Sequence, residues 1–521
     1  MLDVKITGGM VFDGTGTPGR PADVGIMGDS IADIGNLSAA PAKRIIDAEG
    51  KYVCPGFIDV HSHSDAYLLI QPDAMSKIYQ GVTTEIVGQC GASASPLQGS
   101  YKMPSDWRDK KYPREWHSVC EYRAALKEIA PAVNVGFLTG HNAIRAGVMG
   151  YEPRQASADE LAAMKQLLEK CLNEGSCGFS TGLVYPPGSC AEPSEIWELA
   201  RVVAKHDGIY ASHMRSEGAG LIEAVEETIE VCRRTGVRTQ ISHLKTSGLA
   251  NWPKIDRVLE IIRAARAEGL PVMSDRYPYT ASSTDLDIVL PAWASTGGPD
   301  IVLGRIRDAA IRAKILAELK AGRTDADWER IMIGSVSHPD HADYPGLRLP
   351  EIADKMKLHP AEALLQIIEK DELKTGGIFF GMSEENMWRI LSEPYVMIGS
   401  DASIRAPEGP LSEDHPHPRA YGAFPRFIRK VVDEKRMPLE EAVRKMTSLP
   451  AEHFKLQGRG RLAEGFKADI TVFDPEKIAD RATFAKPHQL AAGIAAVLVN
   501  GCVTLLDGKL TGQRSGSVLA G

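Results

Sequence analysis

Between residues 157 and 275 the chain alternates helix-like and strand-like segments, and this rhythm constrains the fold more than any other feature. Ser157-Ala-Asp-Glu160 is a capping-box sequence that opens a helix, and Gly175 can close it. An apolar strand follows over residues 209–213, then a helix over 221–234 and a strand over 238–243. A second helix runs to about Glu268, and a strand covers 271–275. Successive βα units imply parallel strands joined by right-handed crossovers. With this texture over roughly 400 residues, a (β/α)8 TIM-like barrel is favoured over an open doubly wound sheet. No G-x-G-x-x-G stretch supports the open sheet.

The two ends of the chain read differently. Residues 4–7 and 10–12 form short strands around a Gly-Gly turn, and residues 23–27 and 30–34 flank Gly28-Asp29. The last sixty or so residues repeat that strand-and-turn texture at 469–474, 495–501 and 503–506. A small β-sandwich built from both termini is therefore expected, with residues 1–54 and 456–521 as its two parts and the barrel over 55–455. Residues 285–345 break the βα rhythm with Pro-Ala-Trp, Gly-Gly-Pro and Ser337-His-Pro-Asp-His341. They read as an insertion over a barrel mouth.

Composition limits the function classes. The 521 residues include 43% hydrophobic and 25% charged side chains, enough to bury a large core. A net charge of −8 offers no basic face for nucleic acid, so an anionic substrate needs a local cluster of Lys and Arg. No apolar run is long enough to span a membrane, and the N-terminus lacks a signal-peptide pattern. Eight scattered cysteines without a C-x-x-C pair read as reduced, cytoplasmic thiols. The expected partner is a small molecule.

The chemistry-bearing residues sit at strand ends. In Pro55-Gly-Phe-Ile-Asp-Val-His61-Ser-His63, two histidines two residues apart face one side of a strand and can share a metal ion. His213 and His243 each end a strand one βα unit apart, so they should be neighbours at the C-terminal mouth. Cys90 ends an apolar strand before a glycine, as a zinc ligand or as a buried structural thiol. Asp401 closes Val396-Met-Ile-Gly-Ser-Asp401 and could be a metal ligand, a general base or a helix cap. Five N/S donors and a carboxylate at strand ends suit metal-assisted hydrolysis.

These motifs resemble the amidohydrolase superfamily and, more narrowly, the N-acyl-D-amino-acid deacylases (D-aminoacylases). The resembling residues are Gly88-Gln-Cys90-Gly, Gly178-Phe-Ser-Thr-Gly-Leu-x-Tyr185-x-Pro-Gly, Ser212-His-Met-Arg215, Ile241-Ser-His-Leu-Lys245, Tyr277-Pro-Tyr279, Gly399-Ser-Asp401 and His417-Pro-Arg419. The resemblance implies a tightly held zinc at Cys90, His213 and His243. It implies a second, weaker site at His61, His63 and Cys90 with Asp401 nearby. It also implies hydrolysis of N-acyl-D-amino acids, with Asp401 catalytic and Lys245, Tyr277, Ser283 and Arg419 on the substrate carboxylate. Arg276, just before Tyr277, departs from the family pattern. The apolar residues Leu286, Ile288, Val289, Leu290 and Trp293 could roof the pocket and favour hydrophobic side chains. An amidohydrolase acting on a cyclic amide or a deaminating substrate is the alternative.

Overall fold

The computed structural model describes residues 1–108 and 110–521. Eight parallel strands run in sequence around a barrel, joined by helical or inserted segments. Phe57–Asp59, Val82–Val87 and Asn134–Phe137 pair in parallel register. Thr139–Gly140 continues the third strand and passes the sheet to Gly178–Gly182, Ile209–His213, Arg238–Ile241, Val272–Arg276 and Val396–Ile398. A parallel bridge between Ser62 and Ala402 and a 2.8 Å hydrogen bond from Asp401 N to His61 O close the ring.

The helices follow the expected logic. Ser157 and Glu160 exchange side-chain and backbone hydrogen bonds at the start of Ala158–Asn173. Helix Leu221–Thr235 buries Leu221, Val225, Ile229 and Cys232 at i, i+4 and i+3 spacing against the barrel. Because each helix returns the chain to the barrel's opposite end, every strand delivers its last residue to the same mouth.

Both termini contribute to a single nine-stranded sheet. Its seam is the antiparallel pairing of Tyr52–Pro55 with Ile470–Phe473. Val24, Ile26, Val53, Ile470, Val472 and Leu498 share its core. The expected turn at Gly8-Gly9 is instead a bulge inside one continuous strand, Leu2–Val11. Gly8 takes a φ of +74°, and a Cβ on Gly9 would lie 2.6 Å from Val53 Cγ2. The glycines permit the kink without ending the strand.

The inserted region is wider than the break in sequence rhythm suggested. Between Val272–Arg276 and Val396–Ile398, strands Ala281–Asp285, Gly376–Phe380 and Ile331–Ser335 form an antiparallel sheet. Helices Pro299–Arg307, Ala309–Ala321, Leu349–Met356 and Pro360–Lys370 accompany it and share a separate core that includes Ile306, Ile315, Trp328, Ile352 and Leu364. We propose 281–380 as its bounds in place of 285–345. Among the described residues, no helix is long and apolar enough to cross a membrane.

Candidate active site

Four strand ends supply a buried cluster. His61, Cys90, His243 and Asp401 each offer a ligand atom, all within 4.8 Å of one another. His61 Nε2 is 3.3 Å from Cys90 Sγ, and His243 Nε2 is 3.4 Å from the same sulfur. His213 Nδ1 lies 2.9 Å from His243 Nε2. His61 Nε2 and His63 Nε2 reach Asp401 Oδ1 at 3.3 and 3.1 Å, as side chains two residues apart should. His213, Glu217 and His243 make a second group of possible ligands, which shares His243 with the first.

The backbone is bent to present these atoms. Cys90, His243 and Asp401 have φ values of +55°, +36° and +52°. Left-handed backbone costs a non-glycine residue about 1–3 kcal/mol and persists where the surroundings over-determine it. At Cys90 the surroundings are visible: a Cβ on Gly88 would meet Leu138 O at 2.0 Å, and one on Gly91 would meet Gly182 N at 2.6 Å. Neighbouring backbone holds the loop so closely that only glycine fits two residues before the cysteine and one residue after it.

Electrostatics match a cation site. Burial alone would raise the Cys90 thiol, yet the His61 and His243 imidazoles hold it well below its usual range. Burial opposes protonation of His63, but Asp401 and Cys90 bring it up to about 9. Burial also opposes His243, and so does Lys245, but Glu217, Asp401 and Cys90 bring it up to about 9. His213 is lowered by burial and by the neighbouring His243. Against burial, Arg419 and the histidines keep the Asp401 carboxyl well below the ordinary carboxylate range. A thiolate and carboxylates packed against imidazole nitrogens carry negative charge that a divalent ion would neutralise, and S/N/O donors in this number suit zinc.

The carboxylate-binding residues expected from sequence gather beside this cluster. Arg419 Nη1 sits 2.7 Å from Asp401 Oδ2, and its guanidinium carbon lies 4.6 Å from the Tyr277 ring centre. The Tyr277 hydroxyl is buried without a hydrogen-bond partner among the described residues. Lys245 Nζ lies 5.9 Å from the same ring and is paired with Glu217. Ser283 is tied to the anchor through its backbone carbonyl, which accepts from Arg419 Nη2 at 3.3 Å. The proposed apolar roof is a correction. Leu286 and Leu290 are buried in the insertion's own core, and Val289 and Trp293 pack against it. Their place just after the Tyr277–Ser283 segment suggested the pocket, but a separate hydrophobic core takes these four, while Ile288 is half-buried and lies outside that core.

Two carboxylates of the site were not singled out in the sequence. Asp275 is the next-to-last residue of strand Val272–Arg276, and its Oδ1 lies 3.2 Å from His61 Nδ1 and accepts from His243 N at 3.0 Å. The strand-end reasoning that found Asp401 applies equally to it. Glu217 lies in the loop four residues past His213, and its Oε1 is 2.9 Å from His243 Nδ1. No periodic signal marks a loop residue of that kind.

With this geometry in place, the resemblances are specific. Residues 44–234 and 395–505 match the amidohydrolase family. The chain is 38% identical over 521 residues to a D-aminoacylase of Alcaligenes xylosoxydans xylosoxydans, covering 100% of this chain and 98% of that one. An N-acyl-D-glutamate deacylase of Bordetella bronchiseptica, solved with zinc and a phosphonate mimic of the tetrahedral intermediate, is 37% identical, with a TM-score of 0.84 over 100% of both chains. A D-aminoacylase solved to study its binuclear metal center, with one-metal activation and second-metal attenuation, is 39% identical, with a TM-score of 0.85 over 100% of both chains. The chain belongs to the amidohydrolase family and, within it, to the D-aminoacylase group.

Proposed function

We propose that this chain hydrolyses the amide bond of N-acyl-D-amino acids, releasing a carboxylate and a free D-amino acid, with zinc held by residues among Cys90, His61, His63, His213 and His243. Bound there, zinc would acidify water and polarise the amide carbonyl. Asp401 then has the base's role: it accepts the proton of the attacking water and later delivers it to the departing nitrogen. Lys245, Arg419 and Tyr277 bind the α-carboxylate. When that carboxylate draws Arg419 toward itself, Asp401 Oδ2 loses its 2.7 Å partner and is free to take a proton. Fixing the carboxylate and the scissile carbonyl leaves one direction for the side chain, and stereoselectivity follows.

The observation that carries this reading is Asp401 itself, which touches His61 and His63 on one side and Arg419 on the other. One carboxylate thus joins the metal cluster to the substrate anchor. Activity on a panel of N-acetyl-D- and N-acetyl-L-amino acids tests it. Turnover of D forms supports the reading. Inactivity on the panel with turnover of a cyclic amide or an aminated base would select the alternative amidohydrolase chemistry.

One observation bears on the side chain. Arg276 is buried with its guanidinium 4.2 Å from the Tyr277 ring centre, and its Nε and Nη1 have no hydrogen-bond partner among the described residues. Among the described residues no carboxylate pairs with it. An acidic substrate side chain would supply that partner, whereas an apolar one would leave a buried guanidinium unpaired. With the apolar roof withdrawn, this favours N-acyl-D-glutamate or D-aspartate over D-leucine, and comparing kcat/KM for the three decides it. Higher efficiency with D-leucine would restore the hydrophobic preference.

A further inference from the structure

Glu217 stands where the metal cluster and the carboxylate anchor meet. Its Oε1 is 2.9 Å from His243 Nδ1 and forms an ion pair with Lys245. Lys245 Nζ is in turn 2.8 Å from His243 Nδ1. The other nitrogen of His243, Nε2, faces Cys90 Sγ and His213. One carboxylate oxygen therefore receives the Lys245 ammonium and lies beside His243 Nδ1, and the tautomer of the ring decides whether Nδ1 donates to Glu217 or accepts from Lys245. The loop that carries Glu217 is fixed from several sides. Its backbone carbonyl accepts from Ser247 N at 2.8 Å, and Arg215 ties the same loop to Ser189 O and Ala191 O at 3.0 Å each. A surface ion pair would sway with solvent; this one joins a side chain 17% exposed to one 3% exposed.

We propose that Glu217 is a positioning residue with two opposed duties. It fixes His243 in the tautomer that carries its proton on Nδ1 and turns the Nε2 lone pair to the metal cluster, as outer carboxylates do for ligating histidines. It also occupies Lys245, a cation that the substrate carboxylate requires. The second duty rests on the deacylase reading above, and the first does not. Asp275 provides the contrast: it serves His61 at 3.2 Å and accepts from Gln240 Nε2 at 2.6 Å, so it supports a histidine without holding a substrate cation.

The two duties predict effects of opposite sign in one variant. Glu217→Gln keeps an acceptor for Nδ1–H but removes the charge. Zinc should then bind about 10-fold more weakly, measured by competition with a chromophoric chelator. At saturating zinc, KM for an N-acetyl-D-amino acid should fall by about 3-fold or more, because Lys245 is released to the substrate. In a Lys245→Met background the KM effect of Glu217→Gln should vanish while the zinc effect stays. A purely structural Glu217 would raise KM and weaken zinc together, or do neither. Zinc affinity within 2-fold of the parent overturns the first duty, and an unchanged or raised KM overturns the second. If the parent turns over no N-acyl-D-amino acid, the deacylase reading fails along with the second duty, while the zinc measurement still decides the first. Should Glu217→Gln fail to fold, Glu217→Asp, which keeps the charge but shortens the reach to His243, carries the zinc test: it should also bind zinc more weakly, and parent-like affinity overturns the first duty.

Discussion

The barrel mouth and the insertion each place buried histidine beside an aspartate, several rings at the mouth and His341 alone in the insertion, and they differ in what remains unsatisfied. In the insertion, Asp371 is fully buried. Its Oδ1 accepts from His341 Nδ1 at 2.8 Å and His338 N at 2.9 Å, and its Oδ2 accepts from Thr375 Oγ1 at 2.7 Å. Every carboxylate oxygen there has a donor on a neighbouring loop. At the mouth, by contrast, a sulfur and ring nitrogens crowd to within 2.9–3.4 Å of one another, on backbone bent into left-handed φ. The His341 group is satisfied from within and ties two loops together. The Cys90 group is completed only by something that binds several of its atoms at once, and that is what separates a site from a staple.

Breaking the mouth should have the largest effect. Cys90→Ala removes the sulfur that both imidazoles face, so the variant should purify with little zinc and lose at least about 10³-fold in kcat/KM. Zinc content equal to the parent would show that the ligand set is misassigned. Asp401→Asn keeps the shape and loses the basicity, so kcat should fall by at least about 10²-fold with zinc retained. A near-normal kcat would remove the proton-transfer role. Removing the Arg419 cation as Arg419→Met should weaken kcat/KM by about 2 kcal/mol, read as a ratio of D-substrate efficiencies. An N-acylamine without the carboxylate should be poor for parent and variant alike. His341→Ala sharpens the contrast from the other side. It should lower stability by about 1–3 kcal/mol in denaturant titration, because Asp371 loses a buried donor, yet leave kcat and zinc content at parent values. Loss of zinc in that variant would make the two histidine groups one system.

Much of this architecture was readable from strand ends. Cys90, His213 and Asp401 were each found because an apolar run stopped there, and a βα chain delivers such positions to one mouth. Cys90, His243 and Asp401 lie three, two and three residues beyond Val87, Ile241 and Ile398, on left-handed backbone, and the strand pattern alone does not show those turns. Asp275 obeys the same rule, but a single aspartate at a strand end is equally an ordinary helix cap, so the sequence alone does not mark it. Glu217 lay beyond the rule's reach, since its place depends on how a loop folds back across the mouth. The apolar run after Tyr277 misled for a related reason. Local sequence shows that Leu286 and Leu290 will be buried, but not which core will take them, and the insertion's core lies within 281–380. Gly8-Gly9 read as a turn because a bulge and a turn ask for the same φ.

The central claim is that a zinc-loaded Cys90 cluster serves an N-acyl-D-amino-acid deacylase. It is tested most directly by kcat/KM for matched N-acetyl-D- and N-acetyl-L-amino acids before and after chelator treatment. The account predicts turnover of the D forms at least about 100-fold above the L forms, loss of that activity on chelation and its return with zinc. Equal turnover of both enantiomers, or D-specific turnover that survives removal of the metal, would contradict it.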